Sequence, residues 1–460
     1  MKPMNRRHFI ATTAAATAGL GTAIRPPEVI AQIPGERPQQ AREITVLRPQ
    51  NRAPISLIID DSTALVNLAY YGIPQFHEIF PDQYPQPWKE LPQEIPDAFV
   101  QKFAAWCGKQ GVKGKYSVVP YPGCVGWLDR LLPGWSREEL DASLNIIRTE
   151  LASNWDFHPE MISHTRVIDI KTGRPYPEAT EYFMENWRWT DDKSVDQIAA
   201  YMAYALTILK NVEIPCEGIT TPGGFGNRVL PELAQATLQA CREVFRAEIP
   251  HYFRHLFTDD TSVAPRVEYA SGLEGNDPQC VVSIIGCTGD WFGGWDGLEI
   301  GSVDRLITED LQRGRLPEVI EKGEPAILVC HWPGIYFNGY EVGFKIFQEA
   351  VRRVHERYDN LIWMKLSEIS RYWAAKELTK ITLAADGQID LHAPFACPSY
   401  TLQVSHQPTG APQIRTSNTI TRLQETQHTP TLEPHTWRRD KEDVLICFDL
   451  PKGESSIQFK

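Results

Sequence analysis

Two carboxylates stand side by side at the end of a short apolar run, Pro54-Ile55-Ser56-Leu57-Ile58-Ile59-Asp60-Asp61-Ser62. Asp is poor in strands and almost never fully buried without a partner. The pair therefore reads as either a capping turn or an active site. Four later stretches also set polar or ionisable groups at the ends of strand-like runs. Asp156-Phe157-His158-Pro159-Glu160 leads through Met161 to His164-Thr165. Thr220-Thr221-Pro222-Gly223-Gly224-Phe225 is a glycine-rich turn. Asp290-Trp291 and Trp295-Asp296 mix carboxylates with indoles, and Ile327-Leu328-Val329-Cys330 runs into His331-Trp332.

A divalent metal such as zinc takes N and O ligands and, in a hydrolytic site, keeps one position open for water. Asp61 and His164, with His158 or Glu160 as the third group, satisfy that requirement. Water acidified there can attack an acyl carbonyl. Asp60 could then take its proton, and His331 could protonate the leaving group. His77, His251, His255, His355 and His392 do not fall at the ends of expected strands and are left out. Trp291, Trp295, Trp332, Tyr336 and Phe225 are the rings expected to meet a substrate, because flat amphipathic side chains suit sugar faces.

Those groups need a scaffold. Ile55–Ile59 is continuous, short and β-branched, as in a strand buried on both faces. Further strands are expected over Gly114–Val119, Phe157–Ser163, Glu217–Thr221, Val281–Ile285, Ala326–Cys330 and Leu361–Met364. Helical patterns fall between them, over Ser136–Ser153, Ser194–Val212, Val229–Phe245, Val303–Arg313, Val342–Arg357 and Ser367–Leu378. Seven strands alternating with helices predict an α/β fold, a distorted (β/α) barrel of about seven parallel strands over residues 54–378. The competing doubly wound sheet lacks a glycine-rich dinucleotide fingerprint. From about 379 to 460 the texture changes to alternating strands (Lys380–Leu383, Tyr400–Val404, Val444–Phe448), a small β-rich C-terminal appendage.

The N-terminus carries Arg6-Arg7 ahead of a short Ala/Thr/Gly-rich stretch and resembles a twin-arginine export signal, with cleavage expected by about residue 31. Residues 32–53 read as a linker. The expectation is an export machinery partner and a periplasmic or secreted protein with no transmembrane anchor in its mature form. The net charge of −12 excludes nucleic acid as a partner. Nine cysteines without a C-x-x-C pair read mostly as buried thiols, with Cys280–Cys287 a possible disulfide.

The order Asp60-Asp61, His164-Thr165, Pro222-Gly223-Gly224-Phe225-Gly226, Asp290-Trp291 and Leu328-x-x-His331 resembles the motif series of the polysaccharide deacetylases, carbohydrate esterases of the glycoside hydrolase/deacetylase barrel superfamily. The resemblance covers residues 54–375. It implies Asp60 as base, Asp61 and His164 as ligands of a divalent metal such as zinc, and His331 as acid, with Asp290 orienting it. It implies an exported metal-dependent hydrolase that deacetylates a carbohydrate. Three positions depart from the pattern: Thr-Phe-Asp-Asp-Gly is replaced by Ile58-Ile59-Asp60-Asp61-Ser62, the second metal histidine by Ile168, and the arginine that holds the base by Thr221. Two other readings stand beside it. A glycoside hydrolase would pair Asp60 or Asp61 with Asp290, Asp296 or Glu160. A carbohydrate-binding protein would keep the cleft and not the metal.

Overall fold

The structure is a computed structural model that describes residues 33, 35–405, 409–426 and 431–460. The expected export signal, 1–31, lies outside them. Two sheets carry the parallel strands. In the first, Ala53–Asp60 lies between Ala326–His331 and Gly114–Ser117, and Trp155–His158 follows. Leu361–Trp363 pairs parallel with the N-terminal end of Ala53–Asp60. The second holds Gly218–Thr220, His251–Leu256 and Gln279–Gly286 in parallel, with Arg266–Ser271 antiparallel at its edge.

The sheets meet at two seams. At one, Glu160 and Thr220 form a parallel bridge and the Thr220 N–H donates to the Pro159 carbonyl at 3.1 Å. At the other, the Cys287 N–H donates to the Ile327 carbonyl at 2.7 Å and the Val329 N–H to Thr288 Oγ1 at 2.9 Å. All seven expected strands exist and pair in parallel. Burial on both faces explains why they read as continuous apolar runs: Ile55, Leu57 and Ile59 belong to one core cluster and Ile58 to another.

Some expectations need correction. The strand expected over Phe157–Ser163 ends at His158, because Pro159 has no N–H for a ladder and Met161 takes a left-handed φ of 54°. The helix expected over Val303–Arg313 is a single 3-10 turn, Val303–Arg305. Beyond it the Asp310 carboxylate accepts from the Thr308 hydroxyl and the Gln312 N–H, and these local bonds compete with a helix. Strands His251–Leu256 and Arg266–Ser271 and helices Leu68–Ile79 and Asp97–Gln110 were not anticipated. Cys280 and Cys287 are separate buried thiols rather than a disulfide.

Strands from residues 380–459, joined by one from nearer the N-terminus, build two five-stranded sheets, one ordered Lys380–Leu383, Ile389–Ala393, Gly453–Phe459, Pro412–Arg415, Ile420–Arg422. The other includes Cys397–Val404 and Asp443–Leu450, and its edge strand is Ile44–Val46, from within the stretch expected to be a linker. Their buried Leu391, Tyr400, Leu402, Ile446 and Phe448 share a core with helix Leu366–Leu378 and with Ile58, Ile284 and Val329 of the parallel strands. Among the described residues no helix is long and apolar enough to cross a membrane.

Candidate active site

Strand register brings the first chemical groups together. Ala53–Asp60 and Ala326–His331 run in parallel with Asp60 opposite His331, so a carboxylate and an imidazole meet at one C-terminal sheet end. Lys115 is opposite Ile58 on the other neighbouring strand. Its ammonium reaches Asp60 Oδ1 at 2.6 Å, Ser117 Oγ at 2.7 Å and the Ile59 carbonyl at 3.1 Å. Three acceptors match its three donors. The side chain is wholly buried, and that of Asp60 is 4% exposed. Burial pushes the Asp60 carboxyl up to about 6; the Lys115 charge pulls against burial, and the Glu160 charge adds to it.

Asp61, Glu160 and His164 form a second group, with one ligand atom from each lying within 4.8 Å of the others. His164 Nε2 is 2.7 Å from Asp61 Oδ1 and 3.3 Å from Glu160 Oε1. The other oxygen of Glu160 accepts the Asp61 N–H at 2.9 Å. Asp61 Oδ1 is buried and its near neighbour is the His164 imidazole. Two buried carboxylates converging on one imidazole are the donor set a divalent cation accepts, and three protein ligands leave a position open. Burial alone would lower the His164 pKa, but the Asp61 and Glu160 charges outweigh it and hold it well above the usual imidazole value. Burial alone would raise that of Glu160, and the charge of His164 and its hydrogen bond overcome it and hold it low.

Backbone strain accompanies two of these groups. Asp61 has φ 59° and His164 φ 64°, the left-handed region that non-glycine residues seldom enter. The segment carrying His164 wraps around the Glu185 carboxylate, which accepts the N–H groups of Ile162, Ser163 and His164 and the Tyr201 hydroxyl. Burial raises Glu185 to about 7 against the pull of those donors.

His331 Nδ1 is 2.5 Å from Asp290 Oδ1, and both side chains are nearly buried. The second sheet delivers Asp290 four residues past Gly286, and the first delivers His331 at its strand end.

Several expected site residues lie elsewhere. His158 is buried with Nε2 3.0 Å from His251 Nε2 and Nδ1 3.3 Å from Thr220 Oγ1, so its nitrogens are engaged and Glu160 fills the third place in the cluster. Burial holds His158 well below the usual imidazole value and His251 at about 4. Trp332 is wholly buried against Phe99, Phe103 and Tyr116, and Phe225 against Trp189 and Tyr201; both are core side chains, not substrate contacts. Trp291 is nearly buried with the Arg305 guanidinium 4.5 Å from its ring. Tyr336 is half-buried beside Phe99, and Trp295 is half-buried beside Phe76 and Tyr84. Sequence reasoning missed Lys115 and Glu185. A lysine inside the strand Gly114–Ser117 was a signal, because lysine is almost never fully buried unless paired. Nothing marked Glu185.

No family model and no curated protein matches the chain. Among solved structures it is similar to a probable polysaccharide deacetylase from Pseudomonas aeruginosa PAO1, at 12% identity and TM-score 0.33 over 70% of this chain and 90% of that one. It is also similar to Puue allantoinase, at 11% identity and TM-score 0.36 over 77% and 98%. A third likeness is to a candidate glycoside hydrolase/deacetylase from Parabacteroides distasonis, at 12% identity and TM-score 0.39 over 82% and 86%. At these identities and TM-scores the likenesses carry no argument about the reaction.

Proposed function

We propose that this chain is a metal-dependent hydrolase that removes an acyl group, most simply acetyl, from a carbohydrate, on a distorted barrel to which both parallel sheets contribute. The observation that carries the reading is the adjacency of two different constellations: a three-ligand cluster, Asp61, Glu160 and His164, beside a buried Asp60 that is register-paired with His331. A divalent cation held by the cluster, zinc first among those to test, supplies Lewis-acid polarisation of the acyl carbonyl and lowers the pKa of water. Asp60, held by Lys115, accepts the proton of the attacking water. His331, fixed through Nδ1 by Asp290, returns a proton from its other nitrogen to the departing amine or alkoxide. The half-exposed rings of Trp295 and Tyr336 are proposed to face the sugar. In keeping with Arg6-Arg7, we propose export through the twin-arginine machinery to the periplasm or beyond.

The glycosidase reading is the weaker one. It needs two carboxylates facing one glycosidic bond, whereas Asp61 and Glu160 adjoin His164 and Asp290 adjoins His331. The test is elemental analysis of the purified protein after zinc loading, followed by acetate release from acetylated oligosaccharides. One zinc per chain, lost in His164→Ala, with acetate release lost in Asp60→Asn, is the expected result. Absence of zinc binding, or acetate release unaffected by Asp60→Asn, would sink the proposal.

A further inference from the structure

His164 and Glu160 both hang from a segment with no regular secondary structure, yet a cation site tolerates little error in ligand position. The segment's carbonyls accept from Tyr121 and Gly123 of a neighbouring loop, and its amides close on one buried side chain. Glu185 Oε1 accepts the N–H groups of Ile162 and Ser163 at 3.1 Å each and the Tyr201 hydroxyl at 2.5 Å. Its Oε2 accepts the Ser163 N–H at 3.1 Å and the His164 N–H at 2.6 Å. Three consecutive amides closing on one carboxylate form an anion nest. Left-handed residues, Met161 and His164, stand at its two ends. Tyr201 is anchored in turn, accepting the Ile168 N–H at 3.0 Å from helix Val195–Asn211.

We infer that Glu185, held by Tyr201, is the positioning residue of the cation site: it sets the affinity of the Asp61–Glu160–His164 cluster without contributing a ligand. The inference rests on the proposed metal site and adds a residue that the proposed chemistry does not use. Its physical basis is the donor count. The Glu185 carboxylate accepts from three amides and one hydroxyl through both of its oxygens, so a two-oxygen acceptor fits the nest. Glu185→Gln keeps the shape but turns one end into a donor facing donors, and the nest must open. Tyr201→Phe deletes one hydroxyl, which also frees the Ile168 N–H, and leaves the three amides facing Glu185 in place.

The experiment is titration of the metal-free protein with cobalt(II), following visible absorption, with thermal unfolding in EDTA measured alongside. Glu185→Gln is expected to bind cobalt about 10- to 100-fold more weakly, the range for residues that support ligands from outside the site, with an altered absorption envelope. Tyr201→Phe is expected to weaken binding less and, although the stranded Ile168 N–H lowers its unfolding temperature, to stay fully folded in EDTA at the temperature of the titration. That separation distinguishes positioning from a general structural role. Should Glu185→Gln fail to fold, Tyr201→Phe alone decides. Parental cobalt affinity in a folded Glu185→Gln, or in Tyr201→Phe when Glu185→Gln does not fold, overturns the inference. If the unmodified protein binds neither cobalt nor zinc, the proposed metal site itself falls, and the two failures are thus told apart.

Discussion

Replacing Lys115 by methionine removes one charge from a site where both partners are sealed from water. The ammonium and Asp60 Oδ1 are 2.6 Å apart, with side-chain exposures of 0% and 4%. At an effective dielectric of ~20 their attraction is about 6 kcal/mol, opposed by a desolvation penalty of several kcal/mol for each ion. The pair as a whole is therefore worth little, but either partner alone is a buried, uncompensated charge. Lys115→Met should cost about 3–5 kcal/mol for that reason, and it also strips a donor from Ser117 Oγ and the Ile59 carbonyl. Adding Asp60→Asn removes the stranded charge. The double variant should then be more stable than the sum of the two single losses by about 1–3 kcal/mol. Urea denaturation of all four proteins in EDTA, where no cation can take the place of the ammonium, measures the cycle. Losses that add to within about 0.5 kcal/mol would refute the reasoning, since residues in contact are expected to couple.

Other consequences follow from the same geometry. His331→Ala should keep the parental zinc content and lose about 10²- to 10⁴-fold in acetate release, the usual contribution of a general acid; unchanged turnover would remove it from the proposed mechanism. The neutral His158–His251 pair makes the fold acid-sensitive. Both imidazoles are depressed in the folded state, His251 to about 4, whereas the unfolded chain protonates them near pH 6.5. The unfolded state thus binds more protons, so stability is complete above about pH 6.5 and falls as the pH drops toward about 4. The urea midpoint of His251→Leu should vary less with pH across that window than that of the parent, and an equal slope would refute the assignment. Gly218 leaves no room for a side chain, since a Cβ there would stand 2.4 Å from His158 Nε2 and 2.7 Å from His251 Nε2. Gly218→Ala should cost about 1–3 kcal/mol, and an unchanged urea midpoint would show that the pair can shift.

What could be read in the sequence was set by burial pattern. Strands sealed on both faces leave uninterrupted apolar runs, and Ile55–Ile59 and Ala326–Cys330 were legible for that reason. Asp60, Asp61 and His331 stood out as polar groups ending such runs. The strand His251–Leu256 was hidden because His251, Arg254 and His255 break its apolar run, though His251 is buried against His158. Pro74 likewise disguised the helix Leu68–Ile79. Of the five rings expected to meet a substrate, Trp332 and Phe225 are wholly buried core side chains. Type alone does not separate the wholly buried Trp332 from the half-exposed Trp295, which depends on which helices pack above each ring.

Under the proposed function, two departures from the resembled motif series have counterparts in space rather than at their sequence positions. That pattern places a second metal ligand four residues after the first histidine, at Ile168, which here is a buried residue opening the two-residue strand Ile168–Asp169. The same spacing of four is met on the other side, by Glu160 and His164, whose ligand atoms are 3.3 Å apart. The intervening chain is no helix; it turns through the left-handed Met161 and closes around Glu185. The arginine missing at Thr221 would hold the base from the second sheet. Lys115 holds it from the first, one strand away, with Thr221 instead donating its hydroxyl to the Phe253 carbonyl. A carboxylate for an imidazole makes the ligand set more anionic, and a lysine for an arginine puts a compact point charge where a planar fork would stand. The packing is explained by burial itself: a buried Asp60 needs a cation beside it, which Lys115 supplies, and the buried Asp61 and Glu160 carboxylates share the His164 imidazole.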